Sequence, residues 1–282
     1  MSVRDLAGTT AIVTGASRGF GRATAIALAE LGAHVVGVAR NRELLDQLAT
    51  QLDGRFTPEV ANGADPSIPA RLIPRYRPQT LVLNAGARPT PAPVSEQTWE
   101  TFSTNWNTDV QHVFNFTRHA LTAPLEPGSV VVSLSSGAAL NGSPMSGGYA
   151  GAKATVRFIS AYAGMEAQQK GANIRFVALL PLLTPDTALG RLYTETYASQ
   201  AGLSQEQFLE RAVLKDVSLD IIPAQFAEVS CPPHQSEVDD PDPRELIADL
   251  YQEFLFPNVG KLKIQQKDVC FSTWQKFKEL PA

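Results

Sequence analysis

The chain has little cysteine, little histidine and no long apolar run, and each scarcity excludes a class of protein. Its two cysteines in 282 residues, Cys231 and Cys270, are too few and too widely spaced for a disulfide framework, so both read as free thiols. Cys231 and His234 form a lone C-x-x-H in "SCPPHQ"; without a second pair of ligands this predicts no zinc site, and no metal is expected. His112 and His119 read as ordinary residues of one helix. No stretch reaches the length of a membrane span, and the N-terminal "MSVRDLAGTTAIVTGAS" carries charge too early for a signal peptide, so a soluble, cytoplasmic protein is expected, with no membrane partner. The 24 basic and 28 acidic residues leave a net charge of −4, which gives no footprint for nucleic acid and points to small molecules.

What the chain does have is an alternation of Val-rich runs with helix-like segments. "TAIVTG", "HVVGVAR", "TLVLNAG", "GSVVVSLSS" and "IRFVALLP" read as strands. Between them lie "ATAIALAELG", "RELLDQLATQL", a long helix predicted from about Glu96 to Leu121, and a helix from Tyr149. Unpatterned strands alternating with helices imply a parallel sheet covered on both faces, a doubly wound α/β fold built as a single domain.

Residues 182–241 interrupt this rhythm and read as an insertion. Its first part is helical, and "SCPPHQSEVDDPDP" reads as a polar loop. Leu182, Leu183, Leu189, Leu192, Tyr193, Tyr197 and Phe208 suit either a lid over an apolar substrate or simple packing of the insertion onto the domain. Beyond it, "DPRELIADLYQEFLF" is predicted helical, with Pro243 near its start, and "GKLKI" is a predicted closing strand.

Two stretches carry chemistry. "TGASRGFG", Thr14 to Gly21, lies between the first strand and first helix, where Gly15, Gly19 and Gly21 let backbone N–H groups approach a pyrophosphate. "SGGYAGAK" sets Tyr149 and Lys153 four residues apart, on one face of a helix, among small neighbours that would let a flat ligand come close. A phenol is a sluggish acid or base at neutral pH, and a nearby ammonium favours its ionised form.

The glycine spacing is G-x-x-x-G-x-G. With "NAG" at Asn84 to Gly86, "SLSSG" at Ser133 to Gly137, and Tyr149 with Lys153, the chain resembles the short-chain dehydrogenase/reductase family, which has a Rossmann-like fold. The resemblance implies an oxidoreductase that interconverts a ketone or aldehyde with an alcohol. In it Tyr149 is the acid/base, Lys153 contacts the nicotinamide ribose, and Ser136 holds the substrate oxygen. Ser136 is preferred to Ser135 because it lies thirteen residues before Tyr149, the family's usual interval. The resemblance also assigns cofactor contacts to Gly15, Ser17, Arg18, Gly19, Phe20 and Gly21, to Asn62 after the third strand, to Asn84, Ala85 and Gly86, and to Pro181 and Thr184 after the sixth. A homodimer or homotetramer is implied, paired through the helices around Phe114 and Tyr149.

Cofactor choice is read at the end of the second strand. "VVGVARN" places Ala39 where an acid would bind the ribose 2′-hydroxyl and puts Arg40 beside it. Arg40 and Arg18 could both meet a 2′-phosphate, so NADP (NADPH) is expected. Three positions depart from the family pattern: Asn62 stands where the family often has an acid after the third strand, and the other two lie nearer the expected nicotinamide and the catalytic pair. Leu182 follows Pro181 where the family has Gly, and Asp109 stands where it usually has Asn, an alignment anchored on Phe102 and Phe114 that passes over Asn105 and Asn107. Asp109 is placed with the catalytic group, its charge felt by Lys153 and Tyr149. A non-catalytic dinucleotide-binding sensor that kept the fold is the alternative.

Overall fold

A computed structural model of the chain describes residues 6–123, 125–181, 183–185 and 187–215. Leu182, the predicted polar loop, the helix after Pro243, the "GKLKI" strand, Cys231, His234 and Cys270 lie outside the described residues.

Strands β1 (Thr10–Thr14), β2 (His34–Ala39), β3 (Phe56–Val60), β4 (Thr80–Leu83), β5 (Val130–Leu134) and β6 (Arg175–Leu179) form one parallel sheet of six strands in the order β3-β2-β1-β4-β5-β6. Successive residues of a strand point to opposite faces, and both faces are covered. Ala11 and Val13 of β1 pack with α1 (Gly19–Glu30) and α2 (Arg42–Gln51), whereas Ile12 between them packs with α3 (Ser67–Tyr76), α5 (Gln111–Thr122) and α7 (Gly148–Gln169). Burial on both sides explains why the strands read as continuous apolar runs.

The sheet changes direction between β1 and β4. Thr14 is in register with Leu83, so the segments that follow these two strands leave the same edge side by side. That switch point is where an open α/β sheet leaves a crevice.

Two elements differ from the sequence reading. The predicted helix from Glu96 to Leu121 is broken into a 3-10 turn (Val94–Glu96), α4 (Trp99–Ser103), a π-helical turn (Trp106–Val110) and α5. Thr98 restarts the chain as an N-cap: Thr101 N donates to its Oγ1 at 3.2 Å and Thr98 N donates back to Thr101 Oγ1 at 3.0 Å. The helix α3 is absent from the sequence reading because Pro69 and Pro74 argue against it. Pro69 sits in the first turn, where no N–H partner is lost, and Ile68, Leu72 and Ile73 anchor the helix to the core.

After β5 come α6 (Ala138–Asn141) and α7, and after β6 come α8 (Ala188–Gln200) and α9 (Gln205–Lys215). The segment that the sequence reading takes as an insertion thus contains two helices among its described residues.

Candidate active site

Each candidate catalytic or cofactor residue lies just beyond the C-terminal end of a strand or on a helix packed there. The glycine turn is fastened to the segment after β4 by two side chains. Thr14 Oγ1 donates to Val82 O (3.2 Å) and accepts from Asn84 N (3.0 Å) and Ala85 N (3.2 Å). Asn84 Nδ2 donates to Thr14 O (3.1 Å) and Gly15 O (3.3 Å). Gly15 and Gly19 have φ of +68° and +53°, which a side chain would strain. A Cβ added at Gly19 would meet nothing within 4 Å: the turn opens outward there.

The start of α1 fits an anionic group. Arg18, its N-cap, makes no side-chain cap and the first turn holds no acid, so no carboxylate of the first turn offsets the helix dipole. Arg18 and Arg40 are exposed, and Ala39 at the end of β2 is buried. Asn41, after Arg40, caps α2 by accepting from Leu44 N at 2.9 Å. Asn62 lies exposed after β3, its Oδ1 accepting from Ala64 N at 3.2 Å. Pro181 accepts from Gly137 N (2.9 Å) through its carbonyl, and Thr184 O accepts from Thr187 N (3.0 Å). These placements bring the candidate cofactor residues to one edge.

The helix α7 begins one residue before Tyr149, so Tyr149 and Lys153 share its inward face, 6% exposed each. The small residues around them serve packing between helices rather than approach by a ligand: a Cβ at Gly148 would collide with the Phe102 carbonyl, and one at Gly151 would touch the Trp106 ring at 3.4 Å. Ser135 and Ser136 separate cleanly. Ser135 Oγ is buried and donates to Lys153 O at 2.8 Å, tying β5 to α7. Ser136 is half-buried and its Oγ accepts from Ala138 N at 3.2 Å, which leaves its O–H proton available.

Lys153 and Asp109 form a buried ion pair, Nζ to Oδ2 at 3.0 Å, with Asp109 1% exposed. Lys153 Nζ also donates to Leu134 O at 2.8 Å and lies 5.8 Å from the Tyr149 ring centre. Burial works against its charge, but the Asp109 carboxylate, followed by Tyr149, outweighs burial and holds the Lys153 pKa above the ordinary lysine value. The π turn makes this possible: its wider backbone rotates Asp109 inward, with Asp109 N and Val110 N both donating to Asn105 O. The other carboxylate oxygen, Oδ1, accepts from Ala87 N (2.8 Å) and Asn105 Nδ2 (3.3 Å). At Gly86 a Cβ would come within 2.8 Å of Asp109 Oδ2, so the glycine of "NAG" admits the carboxylate. Asn107 is exposed and bonds Ser103 Oγ instead.

His112 departs from the sequence reading. It is fully buried one turn after Asp109, against Gly63, the edge of Phe116 and the Ala85 backbone. Burial, then the Lys153 charge, pushes its pKa down to about 3; the imidazole is a neutral wall residue.

The helix α8 packs on Tyr149. The Tyr193 ring centre is 5.9 Å from that of Tyr149, Tyr197 stacks on Tyr193 at 5.6 Å, and Phe208 follows at 6.1 Å. Tyr197 hydroxyl and Ser143 Oγ share a hydrogen bond of 2.7 Å, joining α8 to the loop before α7.

Thr14, Asn105 and His112 take part in this site without having been singled out for it. Thr14 is the residue before the first glycine, and Asn105 and His112 lie four before and three after Asp109. Helical spacing around Asp109 was the available signal, and the predicted uninterrupted helix would have misplaced it.

The comparisons with known proteins bear on the family and the fold. The family model described as short chain dehydrogenase matches residues 9–197. An NADPH-dependent pterin aldehyde reductase of Arabidopsis thaliana is 28% identical, over 71% of this chain and 83% of its own length. Serine 3-dehydrogenase of Agrobacterium fabrum is 32% identical over 61% of this chain and 70% of its own. L-xylulose reductase of Mus musculus is 34% identical over 45% of this chain and 52% of its own. Among solved structures, 3-ketoacyl-(acyl-carrier-protein) reductase from Brucella melitensis, complexed with NADH, superposes with a TM-score of 0.59 at 25% identity, covering 66% of this chain and 79% of that one. With the model matching more than half of its length, over the residues that build this sheet and this edge, the chain belongs to the short-chain dehydrogenase family of oxidoreductases.

Proposed function

We propose that the protein is an NADPH-dependent oxidoreductase that interconverts a ketone or aldehyde and an alcohol, with Tyr149 as acid/base. The observation that carries this reading is the buried cluster of Tyr149, Lys153 and Asp109 beside Ser136 and the outward-facing glycine turn. A non-catalytic sensor could use Lys153 to hold a ribose, but it has no need of the Tyr149 phenol packed beside that ammonium.

The turn from Gly15 to Gly21, with Ser17 and Phe20, and the uncapped start of α1 suit a pyrophosphate. Arg18 and Arg40 suit a 2′-phosphate, and Asn62, Asn84 to Gly86, Pro181 and Thr184 line the rest of the edge. When bound, NADPH supplies the hydride and NADP accepts it.

The chain's own groups handle the proton and the oxygen. Ser136 donates its O–H to the carbonyl oxygen and orients it toward Tyr149, whose hydroxyl gives up its proton as the alcohol forms. Lys153 has three N–H donors. Leu134 O and Asp109 take two, and the third is left for a ribose hydroxyl. Its charge stabilises the phenolate left behind. Asp109 and Asn105 keep the ammonium in place. Proton transfer by a positioned side chain contributes typically ~10²–10⁴-fold to rate.

The exposed Phe114 of α5 and the exposed Phe158, Tyr162 and Met165 of α7 support pairing into a dimer or tetramer, which sedimentation over a range of concentrations would test. Following the absorbance of reduced nicotinamide against a panel of aldehydes, ketones and quinones tests the function. Tyr149-dependent consumption supports it, and cofactor binding without turnover of any carbonyl favours the sensor.

A further inference from the structure

Against Tyr149, α8 buries two hydroxyls that the protein leaves without partners. Tyr193 is 6% exposed and Thr194 2%, and neither Tyr193 hydroxyl nor Thr194 Oγ1 has a hydrogen-bond partner. Neighbouring hydroxyls along this helix and at its cap are bonded. Thr196 Oγ1 donates to Leu192 O at 2.8 Å, Thr187 Oγ1 accepts from Gly190 N at 2.9 Å, and Tyr197 is bonded to Ser143. The orphans are the adjacent residues Tyr193 and Thr194, and the Tyr193 ring lies against Tyr149. A buried hydroxyl with no partner costs more than an ordinary hydrogen bond returns, so a group entering the site that satisfies it is held strongly.

We infer that Tyr193 is a specificity-determining residue whose hydroxyl donates to a second oxygen of the substrate, borne on the carbon next to the carbonyl that Tyr149 serves. The inference rests on the carbonyl–alcohol reading of the site. The Tyr193 and Tyr149 rings are direct neighbours, tilted at 42°, so a second oxygen close to the reacting one is the acceptor within reach. Burial, then Tyr149 and Tyr197, pushes the Tyr193 phenol well above its ordinary pKa, which keeps it a donor at working pH. The stacked faces of Tyr193, Tyr197 and Phe208 suit an apolar or aromatic body. The substrate class is thus an α-oxygenated carbonyl compound with an apolar body, rather than a plain ketone.

Matched probes test this. Acetylbenzoyl (a vicinal diketone) and α-hydroxyacetophenone each carry an oxygen where propiophenone carries a methylene or methyl group, with otherwise similar shape. Steady-state kinetics with NADPH on the full chain, on Tyr193→Phe and on Tyr149→Phe separates the outcomes. Tyr193→Phe keeps the ring and removes the donor. It should lower kcat/KM for the two oxygenated probes about tenfold, mainly through KM, and leave propiophenone within about twofold. Equal losses for all three probes, no loss for any, or turnover of propiophenone alone overturns the Tyr193 assignment while leaving carbonyl reduction standing. Absence of turnover with every carbonyl tried, or turnover that survives Tyr149→Phe, overturns the reaction itself and Tyr193's role with it.

Discussion

The two halves of the site are built on opposite principles. On the cofactor side, Thr14 and Asn84 close their hydrogen bonds within the protein, fastening the glycine turn to the segment after β4. On the substrate side, α8 meets Tyr149 with hydroxyls left open at Tyr193 and Thr194. A preorganised half recognises a constant ligand by backbone shape, whereas an unsatisfied half is completed by whichever substrate supplies the missing partner. The buried pair of Asp109 and Lys153 stands between the two.

Cutting that central pair should have the largest effect. Asp109→Ala strands a buried ammonium and should cost about 3–5 kcal/mol of stability, measured by denaturant unfolding. Asp109→Asn should fold better and stay active, but with a changed alkaline limit. Lys153 has a folded pKa above the ordinary value near 10.5. Its pairing therefore stabilises fully below that pH and is lost as pH rises through the folded value. Without the carboxylate, burial dominates and lowers the lysine's folded pKa, so the variant should be less stable at neutral pH and should lack the parent's alkaline loss of stability at this residue. Its alcohol-oxidation profile should also move toward lower pH, by roughly 0.5–1 unit, because a negative charge opposing the phenolate has gone. Unfolding curves and profiles that superimpose on the parent's would mean Asp109 carries no charge there.

Tyr149→Phe should reduce turnover by at least ~10²-fold while NADPH binding stays nearly unchanged, whereas Lys153→Ala should damage both. Near-normal turnover in Tyr149→Phe would move the acid to another residue.

On the cofactor side, Arg40→Asp should shift preference from NADPH toward NADH by roughly 10- to 100-fold, read from the two dissociation constants. Equal constants in the unmodified protein would remove the 2′-phosphate role from Arg18 and Arg40.

At neutral pH the smallest effect is that of His112, the neutral wall between the halves, because its contribution emerges only in acid. Its pKa falls from 6.5 to about 3 on folding, so the unfolded chain takes up a proton in that window and the folded one does not. Stability should therefore fall by about 1.4 kcal/mol per pH unit below the unfolded value. His112→Asn should flatten this acid limb, and an unchanged slope would assign acid lability elsewhere.

The sheet and the cofactor edge were legible in the sequence because their signals are local. Val-rich strands, "TGASRGFG", "NAG", and the spacing of Tyr149 and Lys153 each sit within a few residues, and the alternation of elements orders them along the chain. The helix α3 escaped because its prolines mask its apolar stripe, and tertiary packing of Ile68, Leu72 and Ile73 overrides the propensity. The break before α5 escaped because a π turn changes helical phase without a distinctive composition.

What the sequence determined by itself is the parallel α/β fold and the inventory of reactive groups. Periodicity and short motifs encode those directly. The tertiary structure alone decided which groups are partnered. It turned Asp109 onto Lys153, gave Ser135 to the α7 backbone while leaving Ser136 its proton, buried His112 as a neutral wall, and set Tyr193 unpartnered against Tyr149. Each depends on distances between residues from separate elements, and hydrogen bonding and desolvation act over a few ångströms in space, whatever the separation along the chain.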